Sequence, residues 1–196
     1  MMGVSSFIGI LAGIISFSAY LFYILSILRG QTKPSRTTWF ILSFISVVIV
    51  ASYDASGAED TLWVAVSNAF ASIVIALLSI KNGVGGSTRL DIFCFVGSVG
   101  SLILWWLTDS ALLALIANLV IDLLALIPTM TKSWLRPEEE GRLAWTLTLI
   151  GNTLNFFAIT EFTFGIIIYP IYFFVVDLII TIFLYRPLFR KHVTAR

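Results

Sequence analysis

The chain has 196 residues, of which 59% are hydrophobic and 12% charged, and its mean hydropathy is +0.99. A water-soluble domain carries about 25% charged residues, so this composition excludes a soluble globular class and leaves an all-α integral membrane protein of one domain, 1–196. A net charge of +1 without a basic, aromatic-interleaved surface excludes a nucleic-acid partner and leaves the lipid bilayer as the first one.

A helix needs about 20 apolar residues to cross the hydrocarbon core. The sequence predicts seven such spans, at 7–28, 38–54, 61–80, 90–107, 111–130, 143–160 and 165–185. The first run, Phe7 to Leu28, holds 22 uncharged residues with no cationic segment before it, so it reads as a retained helix and not a cleaved signal. The second is the shortest, and Thr38, Trp39 and Tyr53 suit its two interfaces. Trp63, Trp105, Trp106, Trp145, Tyr169 and Tyr185 stand near span ends, as an aromatic belt requires.

Every lysine and arginine follows an odd-numbered span. Arg29, Lys33 and Arg36 come after the first, and Lys81 and Arg89 after the third. Lys132, Arg136 and Arg142 follow the fifth, and Arg186, Arg190, Lys191 and Arg196 the seventh. The intervening loops carry acids: Asp54, Glu59 and Asp60, then Asp109, then Glu161. Cationic loops resist translocation, so the N-terminus is expected outside and the C-terminus, with its tail 188–196, in the cytoplasm. Short loops suit a bacterial inner membrane.

The spans repeat. A basic, proline-containing loop runs from Arg29 to a tryptophan at Trp39, and a second from Lys132 to Trp145. Each has an arginine three residues before the tryptophan, Arg36 and Arg142. The two units, 7–81 and 111–187, flank an unpaired linker helix at 90–107. An odd linker makes the units parallel, two three-helix repeats about an axis along the membrane normal.

This 3+1+3 plan resembles the PQ-loop and SWEET transporter superfamily. Pro128-Thr129 stands where that family has its Pro-Gln pair, near the cytoplasmic end of span 5. Asn68 in span 3 resembles the substrate-facing asparagine of SWEET sugar transporters, while the counterpart stretch of span 7, Tyr172-Phe173, carries no amide. The resemblance implies a seven-helix transporter or facilitator for a small polar solute. Nicotinamide riboside transporters share a similar repeat, so the fold does not select the solute.

Asp122 and Asp177 are read as the acids inside spans, and no basic side chain lies in any span. A carboxylate at the bilayer centre costs about 2.5–3.5 kcal/mol on insertion scales, so it faces the bundle interior, finds a donor or takes a proton. The amides in spans are Asn68, Asn118, Asn152 and Asn155. Asn118 and Asp122 are four apart and share a face of span 5. The expected solute site is lined by Asn68, Asn118, Asp122, Tyr172 and Asp177, with a proton-linked cycle as one option. Pro128 and Pro170 soften their helices and are candidate hinges. Arg36 and Arg142 are candidate gate residues if they pair with glutamates across the basic loops. In the competing reading, Pro137 starts a helical extension of span 6, with Glu138, Glu139 and Glu140 offsetting its dipole.

Gly9 and Gly13 form a GxxxG on span 1, and Cys94, Gly97 and Ser101, with Gly100 beside them, a small face on span 4. Both predict close helix packing, within the chain or in a homo-oligomer. The glycine-rich stretch at 82–86 reads as a connector. Cys94 is the only cysteine and His192 the only histidine, so neither a disulfide nor a metal site is expected. Hydrolase motifs are absent, an intramembrane aspartyl pair is the one enzymatic option, and no cofactor is implied. A retinal Schiff base needs a lysine inside a span, and there is none. A non-transporting sensor or scaffold is the alternative to a transporter.

Overall fold

Apolar runs bounded by polar caps form seven helices: α1 (Val4–Leu28), α2 (Arg36–Ala55), α3 (Leu62–Asn82), α4 (Arg89–Thr108), α5 (Ala111–Leu135), α6 (Arg142–Phe156) and α7 (Phe164–Val193). This computed structural model describes residues 3–30 and 33–193. Gln31 and Thr32 of the first basic loop, and residues 194–196 with Arg196, lie outside the described residues, as do the side chains of Glu139 and of 188–193, which include Arg190, Lys191 and His192.

Local chemistry sets several boundaries. The Ser35 hydroxyl accepts from the Thr38 N–H at the start of α2, and Ser110 accepts from Leu113 at the start of α5. Thr88 and Asp91 form a reciprocal capping box on α4. Asp91 is thus a further acid inside an expected span, 90–107, and it serves the helix terminus. Pro137 does not extend span 6. It opens a separate 3-10 turn, Pro137–Glu139, and α6 begins only at Arg142 after Gly141.

Six of the seven helices are long and apolar enough to cross a membrane. The exception is α6, where the sequence predicts a span over 143–160. Its 15 residues rise about 22 Å against a hydrocarbon thickness of about 30 Å. The helix closes at Phe156, where the Phe157 and Ala158 N–H groups turn back onto Leu154 and Asn155. The segment up to Phe164 is then largely irregular.

Helix neighbours follow a regular pattern. α3 lies between α1 and α2, whose backbones stay apart although the Tyr23 and Trp39 rings meet at 5.3 Å, and α7 lies between α5 and α6, whose backbones also stay apart. Across these groups α1 packs on α6, and α2 packs on α5. α4 meets only α2 and α5, and its other face exposes Phe93, Val96, Ile103, Trp106 and Leu107. The central core joins Ile45, Ile49 and Tyr53 of α2 to Leu115 and Leu119 of α5 and Tyr169 of α7.

The ends are tied in register. Tyr53, near the end of α2, donates to the Ile166 carbonyl at the start of α7 (2.7 Å) and lies 2.7 Å from the Thr61 hydroxyl. At the opposite, basic end, the Arg36 N–H donates to the Val84 carbonyl and the Val84 N–H to the Pro34 carbonyl, both at 2.9 Å, clasping two loops together.

Lipid gives apolar helices no hydrophobic drive to associate, so close packing must hold them. The glycines of α1 serve that end. A Cβ at Gly9 would overlap the Asp60 carbonyl, and one at Gly13 would press on the Trp63 carbonyl and the Ser67 hydroxyl of α3. Gly151 of α6 gives the same clearance to Ser16 of α1. Gly97 meets Ile121 of α5, whereas Gly100 faces open space.

Gly9→Ala and Gly151→Ala are each expected to destabilise the protein by about 1–3 kcal/mol through overpacking against backbone. Gly100→Ala should leave the melting temperature in detergent unchanged or slightly raised. Equal melting of all three variants would refute the close-approach assignment.

Candidate functional site

The two intramembrane acids lie on α5 and α7, each met by a neutral donor. The Tyr172 hydroxyl donates to Asp122 Oδ2 at 2.8 Å, joining α7 to α5. The Asn152 amide donates to Asp177 Oδ2 at 2.8 Å, joining α6 to α7, with Thr148 also beside that carboxylate. Asp122 and Asp177 are close enough to interact electrostatically, and Tyr20 of α1 lies within reach of both. The hydrogen bonds of the two acids go to different partners, and none joins one carboxyl to the other among the described residues.

On the α3 side, the Asn68 amide donates to the Tyr169 hydroxyl at 3.2 Å. Tyr169 stacks on Tyr53 at 4.7 Å and packs on Phe173 at 4.6 Å, and Phe173 in turn meets Tyr172 edge-on at 4.9 Å. An aromatic wall therefore runs from the α2–α7 contact toward Asp122. Asp177, Asn152 and Tyr169 are fully buried, while Asn68, Asp122, Tyr172 and Tyr20 are half-buried. Asp122 and Tyr20 both keep part of their surface accessible.

Of the five residues expected to line a site, four belong to this cluster: Asn68, Asp122, Tyr172 and Asp177. Asn118 is directed elsewhere. Its oxygen accepts from Ser98 at 2.6 Å, and its amide donates to the Ser101 hydroxyl at 2.5 Å and the Ala114 carbonyl at 2.9 Å. The Asn118 amide is saturated between α4 and α5, so the shared face with Asp122 divides between two neighbouring helices. The small face of α4 packs there too, with Cys94 buried 3.8 Å from the Ile121 carbonyl.

α5 and α7 run unbroken through Pro128 and Pro170. Pro128 is exposed and Pro170 buried. The arginines of the basic end bond to backbone. Arg36 donates to the Ser79 and Ile80 carbonyls at the end of α3, and Arg142 to the Leu184 carbonyl of α7. Arg36 therefore caps α3, whose last turn holds both carbonyls, whereas Arg142 ties α6 to α7 well before the end of α7. The ion pair seen in the second basic loop is Lys132–Glu140 at 3.1 Å. Arg186 lies over the Trp134 ring at 3.7 Å. The described residues contain no group of acids, histidines and cysteines able to hold a metal ion.

Sequence reasoning missed Tyr20, Tyr169 and Thr148 as site neighbours. Tyr20 had a signal: a phenol in mid-span needs a partner for its hydroxyl, unlike a belt tyrosine at an interface. Comparison with protein families, curated proteins and solved structures finds no match for this chain.

A double-mutant cycle of Ser98→Ala with Asn118→Ala should give a coupling of about 0.6–1.7 kcal/mol, the range of hydrogen bonds between membrane helices. Additive losses in thermal unfolding would show that no such bond joins α4 to α5.

Proposed function

We propose that this protein is a transporter or facilitator that moves a small polar solute through a central site between two parallel three-helix units. The carrying observation is the polar cluster itself: carboxylates, amides and phenols from α1, α3, α5, α6 and α7 converge inside apolar helices. Polar groups at membrane depth are costly, and they characteristically mark substrate or ion pathways.

The neighbour pattern supports the two-unit reading. Exchanging α1 with α5, α2 with α6 and α3 with α7 leaves it unchanged: α3 stays between its partners as α7 does, and the α1–α6 contact becomes α5–α2. The two arginines correspond as well, since Arg36 and Arg142 each open the second helix of a unit and bond to a backbone carbonyl of the third. α4 is the unmatched element, as a linker is. In this reading the basic end is cytoplasmic and the site is reached alternately as the units rock about the α1–α6 and α2–α5 contacts. A lipid-embedded sensor would need no polar cluster of this extent, and separate partners for the two acids favour binding over a proton-sharing enzymatic pair.

Proteoliposomes containing the full chain should take up at least one small polar solute faster than empty vesicles. Asp122→Asn should cut that rate about tenfold or more, the effect of losing roughly 1.4 kcal/mol at the site. Leu107→Ala, on the outward face of α4, should transport normally. Uptake by wild type no faster than by empty vesicles across sugars, nucleosides, amines and vitamins would refute the proposal.

A further inference from the structure

Two acceptors are left open on the amides that serve the acids and their aromatic wall, while Asn155, one turn further along α6, leaves both amide atoms unpaired and Ser16 of α1 its hydroxyl. Asn152 is 2% exposed, and its amide is used on Asp177, yet its carbonyl oxygen has no hydrogen-bond partner. Asn68 repeats the pattern, its amide on Tyr169 and its oxygen buried without a partner. Tyr172 has committed its only proton to Asp122. A buried acceptor lacking a donor costs about 1–3 kcal/mol, and two helices carry one each beside a carboxylate or phenol. Among the described residues no lysine, arginine or histidine lies within the predicted spans around the acids.

A site with acceptors to spare, two carboxyl groups and, among the described residues, no internal cation is complementary to a ligand that brings both positive charge and N–H donors. A primary ammonium has three donors and no acceptor. Tyr172 and Phe173, both partly exposed, offer ring faces, which attract such a cation when it is desolvated. From this geometry we infer that the solute is a small primary amine in its ammonium form. Asp122 and Asp177 supply the countercharge, and the Asn152 and Asn68 oxygens accept its N–H groups. The inference rests on the transport reading for its biological setting, but binding alone tests its chemistry.

The test uses the purified full chain in detergent with propylammonium, its neutral isostere 1-propanol, tetramethylammonium and sodium as ligands, followed by calorimetry and thermal shift. Propylammonium should bind about tenfold or more tighter than propanol, the scale of one charge-assisted hydrogen bond. Tetramethylammonium, which has charge but no donor, should bind more weakly than propylammonium. Asp122→Asn should erase the preference over propanol, and Asp122→Glu should restore part of it. The wild-type comparison needs no variant, so a misfolded mutant cannot obscure the result. Equal binding of propanol, or stabilisation by sodium alone, would overturn the inference. Uptake of a neutral solute with no ammonium preference would do the same while leaving transport intact. Ammonium-selective binding without flux of any solute would refute transport and leave the amine site standing.

Discussion

Two carboxylates held inside apolar helices, with no cationic side chain beside them, set the terms for the rest of this molecule. An ionised acid in hydrocarbon must be solvated by whatever the protein supplies. Here the supply is a phenol on Asp122 and an amide on Asp177. Each donor sits on a different helix from its acid, so satisfying the acids also fixes α7 against α5 and α6. The second layer follows the same logic: Asn68 reaches Tyr169, and Tyr169 stacks on Tyr53, which is bonded to the α7 backbone. Polar demand in the centre is met by a chain of contacts that orients several helices at once.

Packing around that centre is uneven in a way that suits movement about a site. α1 is set tightly against both α3 and α6 through Gly9, Gly13 and Gly151, where added methyl groups would strike backbone or the Ser16 hydroxyl. α4 is attached by serine and asparagine hydrogen bonds along one face and otherwise presents large apolar side chains outward. Bonds between membrane helices contribute modestly, about 0.6 kcal/mol each on average, so close backbone approach carries more of the cohesion than the polar pairs do. The polar pairs act chiefly as direction, selecting which faces meet.

What the sequence disclosed and what it hid divide along a physical line. Six of the seven span positions and the segregation of Arg36, Arg142 and Arg186 away from the apolar stretches were legible, because hydropathy and charge act along the chain axis. The azimuth of each residue was not. A helix that is apolar on every side gives little rotational signal, so Asn118 and Asp122 looked like one face although they bond to different neighbours. The shortness of α6 was hidden for a related reason. Residues 157–160 remain apolar enough to pass as the end of a span, while the backbone turns at Phe157 and Ala158. Asp91 fell inside a drawn span because hydropathy does not weigh a capping box. Tyr169, taken as an interfacial aromatic, is fully buried because α7 begins five residues earlier, at Phe164, and Tyr53 stacks on it.

The proposed twofold relation also separates architecture from specificity. What the two units hold in common lies at the membrane surface: an arginine opening the second helix and bonded to the third, and a tryptophan three residues on. Tying the second helix of a unit to the third at the basic end is met in the same way in both, so these features match. The interior does not match. Both acids belong to the second unit, on α5 and α7, while the first contributes Tyr20 and Asn68. A symmetric pathway would serve a symmetric or featureless solute equally well from either unit. Placing all the negative charge on one side gives the site a polar direction, so a ligand with a charged head and a neutral remainder can bind in only one orientation. Such a solute would keep its head on α5 and α7 whichever side of the membrane the site faces, and the movement of the first unit around it would then decide access.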